Sequence, residues 1–337
     1  VFPASALLIA IALCAPTVVV PFAQTGSSGS PQGAFGAARP AECGVQEGFR
    51  AANKWERAKE PNLQTYCTLL ASGTAKLVNG GALAKDVPAI ADEADKLLPG
   101  RAAPSVLKGR AMLKLGKPAD ALAALKEART RDDRALDDPV ALLAWARANA
   151  RTGHFEEAAQ AYRAALPRTS ALSTPERSAA SFEAGMIVMA QGPKAVDDAV
   201  AMLRQARREA QDSMQVASVV GLALALDRSG QKEEARAVLA ERVRSDAKAI
   251  LKDPRIAEAL ADAGVAHEGD ALVATALEVT DAAAARDTWR RYVDGPGGKG
   301  PWAEHARAHE GAAPARGAKS GAAAAAPASG AAKERTR

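Results

Sequence analysis

The residues best suited to chemistry in this 337-residue chain are few: four histidines and three cysteines. His305 and His309 stand four apart on a stretch that reads as helix, so both rings can share one face, as metal ligands do. Ala306 follows His305, however, and the general base of the HExxH zinc pattern is therefore missing. The pair is read as solvent-facing, with no metal and no cofactor expected. His154 falls in a turn and His267 in a surface loop, both positions that suit a solvated ring. Gly295 to Gly300 (GPGGKG) has the glycines of a phosphate-binding loop but not its context. Such a loop follows a strand and places Ser or Thr after its lysine; here Gly300 follows Lys299 and helices flank both sides. No serine nucleophile motif or carboxylate pair stands out, so no catalytic residue is assigned.

Cys14 sits within an apolar segment, which leaves Cys43 and Cys67 as a pair downstream. In an exported protein such a pair is more often a disulfide than two free thiols. The alternative is two buried, reduced cysteines.

The elements that must position these groups are helices. Aromatics are scarce (4 Trp, 3 Tyr, 6 Phe), and alanine makes up about a quarter of the chain. Strands want β-branched and aromatic residues, whereas small side chains let helices pack closely. The formal charge of +5 is unevenly placed. Arg316, Lys319, Lys333, Arg335 and Arg337 face a single acid, Glu334, in the last residues, so most of the excess lies in the tail. The remainder is nearly neutral, which argues against a nucleic-acid partner.

Ala4 to Ala23 is uncharged and mostly apolar, interrupted by Pro16 and Pro21, and a Gly/Ser/Pro-rich stretch follows. An export signal has this form, although no basic residue precedes the apolar run. An uncleaved anchor or a buried helix are the alternatives, and membrane contact is expected only through this segment if it is retained. Thr25 to Pro40 has the composition of a flexible linker. Beyond Gly311, an Ala/Gly-rich basic tail lacks apolar periodicity and reads as disordered.

Between these ends a pattern repeats. The stretch VALLAWARANARTGHFEEAAQAYRAALP reads as helix, glycine turn, helix and proline stop. Its small residues Ala146, Ala158 and Ala165, with Tyr162, find counterparts in three other stretches. These are Gly109, Ala121 and Ala128; Gly185, Ala199 and Ala206; and Ala223 with Ala235. Antiparallel helices approach to about 8–10 Å only where facing side chains are small. These residues resemble the tetratricopeptide repeat. The spacing departs from it: the alanines at 121, 158, 199, 235 and 285 stand farther apart than the family's repeat of about 34 residues.

The resemblance implies an all-α solenoid of stacked antiparallel hairpins. Its parts would be an export signal or anchor (1–23), a linker (24–44), N-terminal helices forming a degenerate repeat (45–101) and four repeats (102–243). An extra helix, a degenerate fifth repeat and a capping helix (244–311) and the tail (312–337) complete it. The N-terminal helices are expected over Val45–Lys59, Leu63–Val78 and Pro88–Leu98, and the extra one near Asp253–Ala263.

In this family the first helix of each hairpin lines a concave groove that binds peptides. By register, that lining would comprise Arg110, Lys114, Arg147, Arg151, Phe182, Met186, Met189 and Arg228. Two cation pairs at i,i+4 beside an apolar patch would suit an acidic or C-terminal carboxylate group next to an apolar side chain. The competing reading makes the cations solubilising charges and the methionines core. The implied role is a non-enzymatic scaffold or adaptor in the bacterial cell envelope, binding a protein or peptide. A membrane-anchored assembly or secretion factor, and a metal-dependent enzyme on a repeat scaffold, are the alternatives.

Overall fold

The structure, a computed structural model, describes residues 41–44, 61–243 and 247–311. The expected export segment, the linker as far as Pro40, the first N-terminal helix and the tail lie outside them; residues 41–44, expected as the end of the linker, are helical instead. Among the described residues all regular structure is helical. A short helix α1 (Ala41–Gly44) is followed by α2 (Leu63–Asn79) and α3 (Val87–Leu97). Next come α4 (Ala103–Lys114), α5 (Pro118–Arg131), α6 (Pro139–Arg151) and α7 (Phe155–Ala165). Helices α8 (Thr174–Ala190), α9 (Val196–Glu209), α10 (Asp212–Arg228) and α11 (Lys232–Arg242) continue the series. The last are α12 (Ala247–Ile250), α13 (Pro254–Asp262), α14 (Glu268–Leu277), α15 (Ala282–Asp294) and α16 (Ala303–Gly311). Neighbours pack in pairs: α2 with α3, α4 with α5, α6 with α7, α8 with α9, α10 with α11, and α14 with α15.

Local chemistry sets the ends of these helices. Asp138 caps α6 by accepting from the Ala141 amide at 3.0 Å, with Pro139 in the first turn. At α8, Ser173 and Glu176 form a reciprocal capping box. Asp281 accepts from the Ala283 and Ala284 amides to start α15. The turn after α6 closes with Gly153 at φ 83°, a left-handed conformation that favours glycine. The next amide, His154, donates to Asn149 O at 2.9 Å. The same hydrogen bond recurs after α4 (Lys117 to Met112) and after α10 (Gln231 to Leu226). Equivalent turns therefore fold back the pairs α4–α5, α6–α7 and α10–α11, whereas the α8–α9 connection carries a 3-10 segment, Pro193–Ala195.

Close contact within the pairs rests on small residues. A Cβ at Gly109 would lie 2.6 Å from Leu125 Cγ, and one at Gly185 would run into Leu203. Ala121, Ala128, Ala146, Ala158, Ala165, Ala199, Ala206, Ala223 and Ala235 are all buried, as is Tyr162. One apolar core runs from α6 to α16, and a separate cluster joins Cys43, Tyr66, Leu70, Val87 and Leu107 at the N-terminal end. The Cys43–Cys67 disulfide and a 2.8 Å hydrogen bond from Tyr66 to Glu42 fasten α1 to α2.

Ala158→Leu is expected to overpack α7 against α6 at a cost of about 1–3 kcal/mol. The exposed neighbour Glu157→Leu serves as the control. A melting midpoint for Ala158→Leu equal to that of the control would refute the contact.

Helix α13 departs from the pairing. It lies across α6, α8 and α10, the first helices of three successive pairs, and also touches α14. Asp253 caps it through the Arg255 amide at 2.8 Å, and Pro254 opens its first turn. Gly264 ends it at φ 70°, so close to the Ala150 carbonyl that no Cβ fits. Short and strongly amphipathic, it buries Ile256, Ala259 and Leu260.

Candidate functional site

Three of the cations expected to line a groove meet acidic side chains of α13. Arg147 donates from Nε and Nη2 to the buried Glu183 at 2.8 and 2.9 Å, and Asp262 of α13 lies 3.5 Å from Arg147 Nε. Tyr162 donates to the same Glu183 carboxylate at 2.8 Å. Arg151 reaches Asp262 at 3.4 Å and the Leu113 carbonyl at 3.2 Å. Lys114 pairs with Glu258 of α13 at 3.3 Å. Acidic side chains of the chain itself thus occupy three of the expected cations. Burial pushes the Glu183 carboxyl above its ordinary pKa, and Arg147 opposes that rise.

Phe182, Met186 and Met189 form no surface patch, because all three are fully buried. Helix α8 packs against α7, α9, α10 and α13, which leaves it no free apolar face. Arg228 is likewise enclosed. It donates from Nη2 to Glu268 at 2.8 Å and to Tyr292 Oη at 3.3 Å, and its guanidinium stacks 4.9 Å from the Trp302 ring centre. The apolar half of the expected groove is therefore corrected to core. Arg110 is the exception among the expected cations: it is half-buried, and among the described residues no hydrogen bond holds its guanidinium. Burial lowers its pKa, while the charges of Asp138 and Glu176 act in the opposite sense.

The histidine pair of the last helix also departs from expectation. His154 is exposed, in the turn between α6 and α7, and His267 is half-buried at the start of α14. His305 and His309 are not solvent-facing; each side chain keeps 19% of its exposure. Both turn inward because Trp289 and Trp302 pack against their rings. The Trp289 centroid lies 5.1 Å from that of His309, and the Trp302 centroid 6.1 Å from that of His305. Both Nε2 atoms lie 2.9 Å from Oδ2 of Asp227 at the end of α10. His309 Nδ1 donates to Glu278 Oε1 at 2.7 Å, and Trp289 Nε1 donates to the same oxygen at 2.8 Å. Burial alone would lower the His309 pKa, but Asp227 and Glu278 hold it up at about 9. Asp227 is kept below the usual carboxylate range: burial would raise it, and the two imidazoles outweigh that.

The segment GPGGKG is a single 3-10 turn, Pro296–Lys299, between α15 and α16. A hollow of about 320 Å³ walled by Arg204, Arg207, Arg208, Leu222 and Glu234 opens beside α9. Its cations Arg204 and Arg207 are held by Glu234 and Glu241 at 2.7 Å each.

Sequence reasoning missed Glu183, Glu268, Asp227 and Glu278. Glu183 carried a signal, since a carboxylate within the apolar run FEAGMIVMA must find a cation when that run is buried. Asp227 and Glu278 carried none, because their distance from the histidines along the chain hides the contact.

No family model matches the chain, and no curated protein matches it.

Proposed function

We propose that the chain is a non-enzymatic, tetratricopeptide-like interaction scaffold exported to the bacterial cell envelope. The carrying observation is the recurrence of one construction at successive helix pairs. The four pairs from α4 to α11 close on small residues, and three of them share one turn geometry. Repeated pairs of this kind bury a continuous core and leave an extended face for a partner. Helix α13 covers the middle of that face, so the partner's place is narrowed to its upstream end on α4. There, among the described residues, Arg110 has no hydrogen-bond partner, and Lys114 is tied only to the exposed Glu258. An acidic segment or a C-terminal carboxylate suits these two cations.

Export is supported by the apolar segment Ala4 to Ala23 and by the Cys43–Cys67 disulfide, a bond that persists in oxidising compartments. No described helix is long and apolar enough to cross a membrane.

An array of acidic and neutral peptides, probed with the purified chain, tests the proposal. The expected result is a preference for acidic peptides that Arg110→Glu with Lys114→Glu removes. Equal binding of both peptide classes, or a preference that survives the double substitution, overturns it.

A further inference from the structure

The contact between α10 and α16 holds more polar chemistry than packing requires. His305 and His309 lie one turn apart on α16, and α10 brings Asp227 to them from far away in the chain. One donor atom from each of the three residues lies within 4.8 Å of the other two. His305 Nε2 is buried and makes no hydrogen bond, although Asp227 Oδ2 is only 2.9 Å away. Two ring nitrogens thus converge on one carboxylate oxygen, and one of them lies at ion-pair distance without making a hydrogen bond.

We propose that Asp227, His305 and His309 bind a divalent cation of the zinc class, with water completing the coordination. Two imidazoles and a carboxylate suit zinc and its transition-metal neighbours better than magnesium or calcium, which prefer all-oxygen sites. Bonds of about 2.0–2.1 Å to a tetrahedral ion place its donor atoms about 3.3 Å apart. The observed 2.9 Å separations need to open only slightly to admit the ion. The residual exposure of Asp227, 15%, and of the two histidines, 19% each, leaves a path for the ion and room for water.

The surroundings of the site fit the same reading. Glu278 accepts a hydrogen bond from His309 Nδ1, which leaves Nε2 as the nitrogen that would give up its proton to bind the ion. Trp289 Nε1 holds Glu278 in turn, so this outer carboxylate is itself oriented. The carboxylate–histidine–metal order is the usual one around protein zinc. Without an ion, His309 must donate from both nitrogens, and His305 Nε2 stays unsatisfied. With one, the three inner residues are all served. The ion then clamps α16, and through Trp302 the Met189 end of α8, onto α10; Trp302 Nε1 donates to Met189 O at 2.7 Å.

The test uses the untagged full chain, stripped with a chelator and titrated with Zn²⁺ alone. Calorimetry, elemental analysis and melting are the readouts. One equivalent should bind and raise the melting temperature. Asp227→Asn and His305→Gln should each abolish saturable binding. Glu278→Gln should weaken it about 10–100-fold, and His154→Gln should leave it unchanged. Circular dichroism checks that each variant folds. Should an inner-residue variant unfold, the visible spectrum of the wild-type chain with Co²⁺ decides, through the intense bands of a four-coordinate ion. A chain that shows no stoichiometric binding, or no Zn²⁺-dependent melting shift, carries an ion-pair network instead, and the proposal fails. It fails equally if Mg²⁺ binds as tightly, or if Asp227→Asn and His305→Gln bind Zn²⁺ like the wild type.

Discussion

Glu268→Ala is expected to destabilise the C-terminal half of the chain by about 3–5 kcal/mol, the usual cost of removing one partner from a buried ion pair. The Arg228 side chain is 0% exposed and that of Glu268 2%, so solvent cannot take over when the carboxylate goes. Arg228 Nε and Nη1 already lack hydrogen-bond partners, which leaves the 2.8 Å bond to Glu268 as the main compensation for the buried charge. Tyr292, which donates to Glu268 Oε1 at 2.7 Å, would lose its acceptor as well. A paired control sharpens the test. Arg228→Met with Glu268→Leu removes both charges and keeps the volume, so it should cost less than Glu268→Ala alone. Urea denaturation followed by tryptophan fluorescence reads both, because Trp289 and Trp302 lie in this half. A loss below about 1 kcal/mol for Glu268→Ala would show that water or another group reaches the guanidinium.

Breaking the Cys43–Cys67 bond should cost about 3 kcal/mol by the loop-entropy account, given the 24-residue separation of its ends. The loss should fall on the N-terminal cluster, since Cys43, Tyr66, Cys67 and Leu70 belong to a core separate from that of α6 to α16. Hydrogen exchange on Cys43→Ser with Cys67→Ser locates it. Amides of α2 and α3 should exchange faster while those of α8 and α10 hold their protection. Mass spectrometry first establishes the bond: alkylation without reductant must leave both thiols unlabelled. Uniform loss of protection along the chain would instead mean that the N-terminal core and that of α6 to α16 unfold as one.

The paired helices were legible because their cause is local and periodic. Small residues recur where helices touch, and Gly116, Gly153 and Gly230 mark the turns between them. The extra helix near Asp253 was also legible, from the long gap between the alanines at 235 and 285. Its destination was not. Arg147 and Arg151 look like exposed cations in sequence, since nothing nearby along the chain neutralises them. Glu183 and Asp262 do so from other parts of the molecule. Phe182, Met186 and Met189 were placed on a surface by register alone, and register cannot register what packs on the other side of a helix.

Helix, turn and close contact depend on side-chain size and backbone preference over a few residues, and those are written directly in the order of amino acids. Ion pairs, buried carboxylates and the meeting of Asp227 with His305 and His309 depend on which elements come to rest together. That outcome follows from burying the summed apolar faces of many helices at once. A pairwise Coulomb or metal contact between distant residues leaves no period in the chain from which it could be read.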